Sequence, residues 1–141
     1  MKKQTKLIDT QYFKSNEIIY SYKAEQLGID NTPTDDVVIA NLNYTLQRLN
    51  TIRERYGHPI VISSGYRCEE LNRIVGGVKD SKHKTGLAVD LVFDEDLFEF
   101  LKDNCSFDKL ILEQNSKTKW LHIQFRLDKT AERRLIFYEE K

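Results

Sequence analysis

The segment Ser81-Lys82-His83-Lys84-Thr85-Gly86-Leu87-Ala88-Val89-Asp90-Leu91-Val92-Phe93 decides how this chain folds. Its first half is polar and ends on a glycine. From Leu87 it alternates, with Leu87, Val89, Leu91 and Phe93 pointing one way and Ala88, Asp90 and Val92 the other. A two-residue period marks a strand with one buried face, so the segment reads as a loop feeding a strand. Downstream, Asp94–Asn104 reads as a helix. Phe107–Glu113 and Trp120–Phe125 read as two strands joined by a polar turn around Asn115-Ser116-Lys117-Thr118. Upstream, the β-branched Ile60-Val61-Ile62 follows Pro59 and reads as a short buried strand, and a loop-rich stretch with Gly65, Gly76, Gly77 and Gly86 runs from Ser63 to Gly86.

The strongest helix signal lies further back. From Asp35 to Tyr56, Val38, Leu42, Leu46, Leu49, Ile52 and Tyr56 recur at steps of three or four, and Gly57 closes the run. The loop Asn31-Thr32-Pro33-Thr34 before it ends in a good N-cap, and a shorter helix over Tyr22–Leu27 stops at Gly28. Helices and strands in mixed order predict an α+β fold, a small antiparallel sheet with flanking helices.

A chain of 141 residues fits one domain, expected over 1–141 with its core at about 15–126. Apolar residues at 40% supply a core, and 22 basic against 22 acidic side chains leave no excess for a nucleic-acid binder. No run approaches the ~20 apolar residues of a membrane span. The start, MKKQTKLIDTQYF, is basic but lacks the apolar run of a secretory signal, so synthesis in the cytoplasm is expected. Cys68 and Cys105 form no Cys-x-x-Cys pair and read as reduced, structural residues.

Strand parity gathers the chemistry. On Trp120–Phe125, Leu121, Ile123 and Phe125 face the core, which leaves Trp120, His122 and Gln124 opposite. Asp90 lies opposite the apolar row of its strand, and Glu113 opposite Leu110 and Leu112. His83 sits on the loop that feeds this polar face. Two neutral imidazoles and one carboxylate, with a fourth position left for water, form the ligand set of a catalytic zinc, whereas oxygen-seeking metals want more carboxylates. With the turn centred near Ser116-Lys117, Glu113 pairs with Trp120 and becomes a diagonal neighbour of His122, within reach as a general base. A solvated glutamate at a strand end is the other reading of the same parity.

Taken together, Ser64-Gly65-Tyr66-Arg67, Leu71-Asn72, Val75-Gly76-Gly77, Ser81-x-His83-x-x-Gly86-x-Ala88-x-Asp90, Phe107-Asp108, Glu113 and Trp120-x-His122 resemble the zinc D-Ala-D-Ala metallopeptidases. Leu27-Gly28-Ile29-Asp30-Asn31-Thr32-Pro33 before the long helix is similar to small phage and bacterial members, so the resemblance spans about residues 15–126. It implies the hedgehog-related fold and Zn2+ held by His83, Asp90 and His122. It also implies hydrolysis of the peptidoglycan stem peptide, by a D-Ala-D-Ala carboxypeptidase or by an L-Ala-D-Glu endopeptidase of the phage-lysin kind. Arg67 would bind a substrate carboxylate or steady the oxyanion, Ser81 would hydrogen-bond the substrate backbone, and Glu113 would be the catalytic acid–base. A monomer, released to the cell wall by a phage-type route, is the expected context.

Two positions depart from the family pattern. Relatives with Glu-x-x-His carry the base where this chain has Lys119, and many others have a second histidine where it has Trp120. Trp120 reads equally as a packing residue or as a platform beside substrate. Lys79, Lys82, Lys84 and Arg73 read as a solvated loop, or as a rim that steers anionic wall peptide. Two further classes stand beside the peptidase: a non-catalytic zinc module that binds wall peptide or serves in a virion, and a thiol- or phosphate-dependent enzyme.

Overall fold

The computed structural model describes residues 6–141; the first five residues of the basic start, part of the stretch read as no secretory signal, lie outside it. Two short helices come first, α1 over Asn16–Ile19 and α2 over Tyr22–Leu27. The long helix α3 runs Asp36–Tyr56. Its N-cap is Asp35 rather than Thr34: the Asp35 carboxylate accepts from the amides of Val37 and Val38. An anion there satisfies two orphan donors and complements the helix dipole, which a hydroxyl does less well.

Strand β1 covers Ile62–Ser64, two residues later than Ile60–Ile62. Ile60 is buried, but only the carbonyl of Val61 reaches the neighbouring strand, and a bulge between Ile62 and Ser64 shifts the register. Within the stretch read as loop lies a helix, α4, Glu69–Ile74. At six residues it is too short to display a period. Then follow β2 (Ala88–Val92), α5 (Glu95–Asn104, capped by Asp94), β3 (Lys109–Gln114), β4 (Lys119–Gln124) and β5 (Leu135–Glu140).

The sheet order is β1-β2-β4-β3-β5. The α+β class with flanking helices is as expected, and the first four strands pair antiparallel. The departure is β5, which joins β3 in parallel and carries the sheet past residue 126. A short 3-10 turn, Lys129–Ala131, reverses the chain after β4 so that β5 can enter beside β3. The β3–β4 turn is fixed by Asn115, whose side-chain oxygen accepts from Lys117 N and Thr118 N. That turn sets Glu113 opposite Trp120, as the sequence predicts.

One face of the sheet is sealed. Val89, Leu91, Leu110, Leu121 and Ile123 join Leu42, Leu46, Leu49 and Ile52 of α3 and Leu97, Phe98 and Leu101 of α5 in a single apolar cluster. Because successive strand residues alternate, closing that face leaves Asp90, Glu113, Trp120, His122 and Gln124 on the other. Among the described residues no helix is long and apolar enough to cross a membrane.

Candidate metal centre

Asp90 on β2 lies directly across from His122 on β4, and Ile111 flanks His122 on the other side. His83 arrives from the loop before β2. That loop is held by α3: Asn41 donates to the Thr85 carbonyl at 2.9 Å and Thr45 to the Gly86 carbonyl at 2.7 Å. Gly86 itself has φ of 85° and lies against Leu42 and Val38, a conformation and a closeness that suit only glycine. The Ser81 hydroxyl accepts from the His83 amide, and the Arg67 amide donates to the His83 carbonyl at 3.1 Å.

The three side chains converge. His83 Nε2 and His122 Nδ1 each lie 3.3 Å from Asp90 Oδ1, and the three ligand atoms all fall within 4.8 Å of one another. The distal nitrogens are spoken for. His83 Nδ1 donates to the Gly65 carbonyl at 2.8 Å, and His122 Nε2 meets the Gln124 side-chain oxygen at 2.9 Å. Both contacts are to carbonyl acceptors, so the protons sit on the outer nitrogens and the inner ones present lone pairs. Asp90 Oδ1 is buried without a hydrogen-bond partner. Three buried lone pairs facing one another repel unless a cation lies between them. The two separations of 3.3 Å from Asp90 Oδ1 are also those between ligands of a tetrahedral zinc with bonds near ~2.0 Å. The donor set therefore fits the metal.

Within the group the charges favour a proton on His122 over one on Asp90. Burial is the largest influence on Asp90 and pushes its carboxyl up, but His83 and His122 outweigh it and leave it well below the ordinary carboxylate range. Burial likewise pushes His122 down, yet Asp90, Gln124 and Glu113 together raise it. A metal binding there would compete with the proton on His122.

Around the centre runs a cleft of about 600 Å³. Glu113 Oε1 stands 3.7 Å from His122 Nδ1, at the edge of the ligand group. Its Oε2 pairs with the Lys141 ammonium at 3.0 Å. Arg67, Ser81 and Trp120 line the cleft, so every residue named from the sequence as a site residue faces it. Arg67 Nε is buried without a partner, an unspent donor at the cleft wall. Burial pulls its guanidinium down against the attraction of Asp90 and Glu113. Lys119 turns to the other side, its ammonium 4.9 Å from the Phe93 ring centre. Of the basic rim, Lys82 lines the cleft, whereas Lys84 pairs with Glu69 at 2.6 Å. Cys68 and Cys105 are free thiols. Cys105 belongs to the core, and burial pushes its thiol up, which suits no nucleophile.

Several supporting residues were not singled out from the sequence. Asn31 clamps the Arg67 segment, donating to the carbonyls of Ile19 and Tyr66 and accepting from Cys68 N. Gln124 holds His122, and strand parity alone already placed it on the right face. Lys141 follows β5, whose run Leu135-Ile136-Phe137-Tyr138 is rich in strand formers and is the signal that could have found the element.

A mixed α+β domain with a His-Asp-His group on the open face of its sheet has the architecture of a metallopeptidase. The sequence model of the peptidase M15 family matches residues 11–124. The chain belongs to that family, the zinc D-Ala-D-Ala metallopeptidases. No curated protein sequence matches it.

Proposed function

We propose that this protein is a zinc-dependent peptidase that hydrolyses a peptide bond in the stem peptide of bacterial peptidoglycan, acting at the cell wall. The convergence of His83 Nε2, Asp90 Oδ1 and His122 Nδ1 beside Glu113 carries the reading. Zinc held by these three residues supplies polarisation of the scissile carbonyl and a nucleophile that is active near neutral pH. Glu113 takes the proton of the attacking water and delivers it to the leaving amine. Arg67, charged and with donors to spare, binds a substrate carboxylate or the developing oxyanion. The Ser81 hydroxyl, already accepting from His83 N, retains its own proton to donate to the substrate backbone. Trp120, half-buried at the cleft, offers its ring as a wall.

One observation favours a second reading, a zinc module that binds wall peptide without cutting it: the Lys141 ammonium occupies one oxygen of Glu113. Hydrolysis of synthetic stem peptides separates the two. Peptides ending in D-Ala-D-Ala and peptides carrying the L-Ala-D-Glu bond are incubated with zinc-loaded protein, with chelated protein and with Glu113→Gln. Cleavage that is lost on chelation, restored by zinc and abolished in Glu113→Gln supports the peptidase and names the bond. Binding without cleavage in wild type supports the module.

A further inference from the structure

Gln124 lies two residues beyond His122 on β4, on the same face of the sheet and 7% exposed. Its carboxamide bridges two groups. One end meets His122 Nε2 at 2.9 Å, and the other meets Asp108 Oδ2 at 3.5 Å. Asp108 is 2% exposed and is gripped by two arginines, Arg126 through Nε at 2.8 Å and Arg133 through Nε at 3.0 Å and Nη2 at 2.9 Å. The hydrogen bonds from Arg133, joined by the charge of Arg126, hold the Asp108 carboxyl down at about 2 against burial.

An ionised carboxylate only accepts hydrogen bonds. Gln124 must therefore turn its NH2 toward Asp108 and its carbonyl oxygen toward His122. A carbonyl also only accepts, so His122 Nε2 carries the ring proton and Nδ1 is left bare toward Asp90 Oδ1. The reverse amide orientation sets an NH2 against the ring nitrogen and an oxygen against the carboxylate. That arrangement loses the Asp108 contact, and it keeps the His122 contact only if Nε2 is bare and the ring proton moves to Nδ1, against Asp90.

We propose that Gln124, oriented by Asp108, is a positioning residue that assigns the metal-facing nitrogen of His122 to Nδ1. The chain of fixed charge, amide and imidazole runs from Arg126 and Arg133 in the β4–β5 connection to the centre of the site. It serves on β4 the purpose that the Gly65 carbonyl serves for His83. Such outer partners raise ligand basicity and lock ring orientation. The inference rests on the reading of His83, Asp90 and His122 as a zinc site.

The test is made on the full chain with zinc alone as ligand. Zinc affinity is measured by competition with a chromophoric chelator. The coordinated nitrogen of His122 is identified in the loaded protein by two-bond proton–nitrogen correlation. Gln124→Met keeps length and loses the acceptor; it is expected to bind zinc roughly 10–100-fold more weakly and to lose the pure Nδ1 pattern. Gln124→Glu restores an acceptor for Nε2–H, with Arg126 and Arg133 offsetting its charge near Asp108. It is expected to stay within about threefold of wild type. A Gln124→Met protein that matches wild type in both measurements overturns the proposal. So does equal weakening of both variants, which assigns Gln124 to packing. Wild-type protein that takes up no zinc is a different result and overturns the metal reading beneath it.

Discussion

Replacing Gly65 by alanine tests the positioning of His83 more sharply than replacing the histidine itself. A Cβ at residue 65 would overlap the Ile18 carbonyl oxygen and stand 2.8 Å from its carbon and 2.9 Å from Ile18 Cγ1. The obstructing atoms are mostly backbone, at the end of a helix whose Ile18 side chain is fully buried, so neither side yields by a rotamer change. Relief requires the β1 end and α1 to part by about 1 Å, and overpacking of this kind costs about 1–3 kcal/mol. The same displacement lengthens the bond from Tyr66 N to the Ile18 carbonyl, 2.7 Å, and that from His83 Nδ1 to the Gly65 carbonyl, 2.8 Å. Each contributes about 1 kcal/mol. The expected loss is about 3–5 kcal/mol, which lowers the melting temperature of a chain this size by roughly 10–17 °C. Gly28→Ala is the matched control. Gly28 has φ of 67° but nothing within 4 Å of a new Cβ, so it carries only the left-handed backbone penalty of about 1–2 kcal/mol. Urea unfolding of the metal-free proteins, followed by circular dichroism, measures both. A Gly65→Ala protein that loses no more than Gly28→Ala refutes the close-approach argument.

Three other outcomes follow from the same structure. Asp108 has its carboxyl lowered to about 2 from an ordinary 3.8, so its contribution of about 2 kcal/mol is present above pH ~4 and disappears as pH falls through ~2. Unfolding curves of wild type and Asp108→Asn should therefore run apart at neutral pH and close below pH 3; a gap that does not change with pH contradicts this. Leu46→Ala removes a fully buried side chain where α3 meets the sheet and should cost about 2–5 kcal/mol in urea unfolding, and a cost under 1 kcal/mol would mean the helix does not seal that face. Glu113→Gln should lower stem-peptide turnover by about 10²–10⁴-fold while zinc content by elemental analysis stays at wild-type level; retained turnover removes Glu113 as the proton carrier.

Much of the site was legible because it lies on strands. A period of two tells which residues share a face, so Asp90, Glu113, Trp120 and His122 could be placed together from parity and one turn. The register held because Asn115 is the residue type that closes such a turn through its own side chain. What stayed hidden depends on contacts distant in sequence. Helix α4 spans too few residues to reveal a period, and the parallel placement of β5 follows from the reversal after β4 and from no local pattern. Arg133 grips Asp108 across 25 residues of chain, and Asn31 reaches Tyr66 across 35. The cap read at Thr34 falls one residue later, at Asp35. The choice fell to the residue whose oxygen reached two free amides.

The central claim is hydrolysis of the peptidoglycan stem peptide at the His83-Asp90-His122 centre. Mass spectrometry of purified peptidoglycan, digested in parallel with zinc-loaded wild type and zinc-loaded Glu113→Gln, tests it most directly. New peptide ends in the wild-type digest alone, at L-Ala-D-Glu or at terminal D-Ala, are the expected result. No new ends across several wall chemotypes, from wild-type protein carrying one zinc per chain, would contradict it.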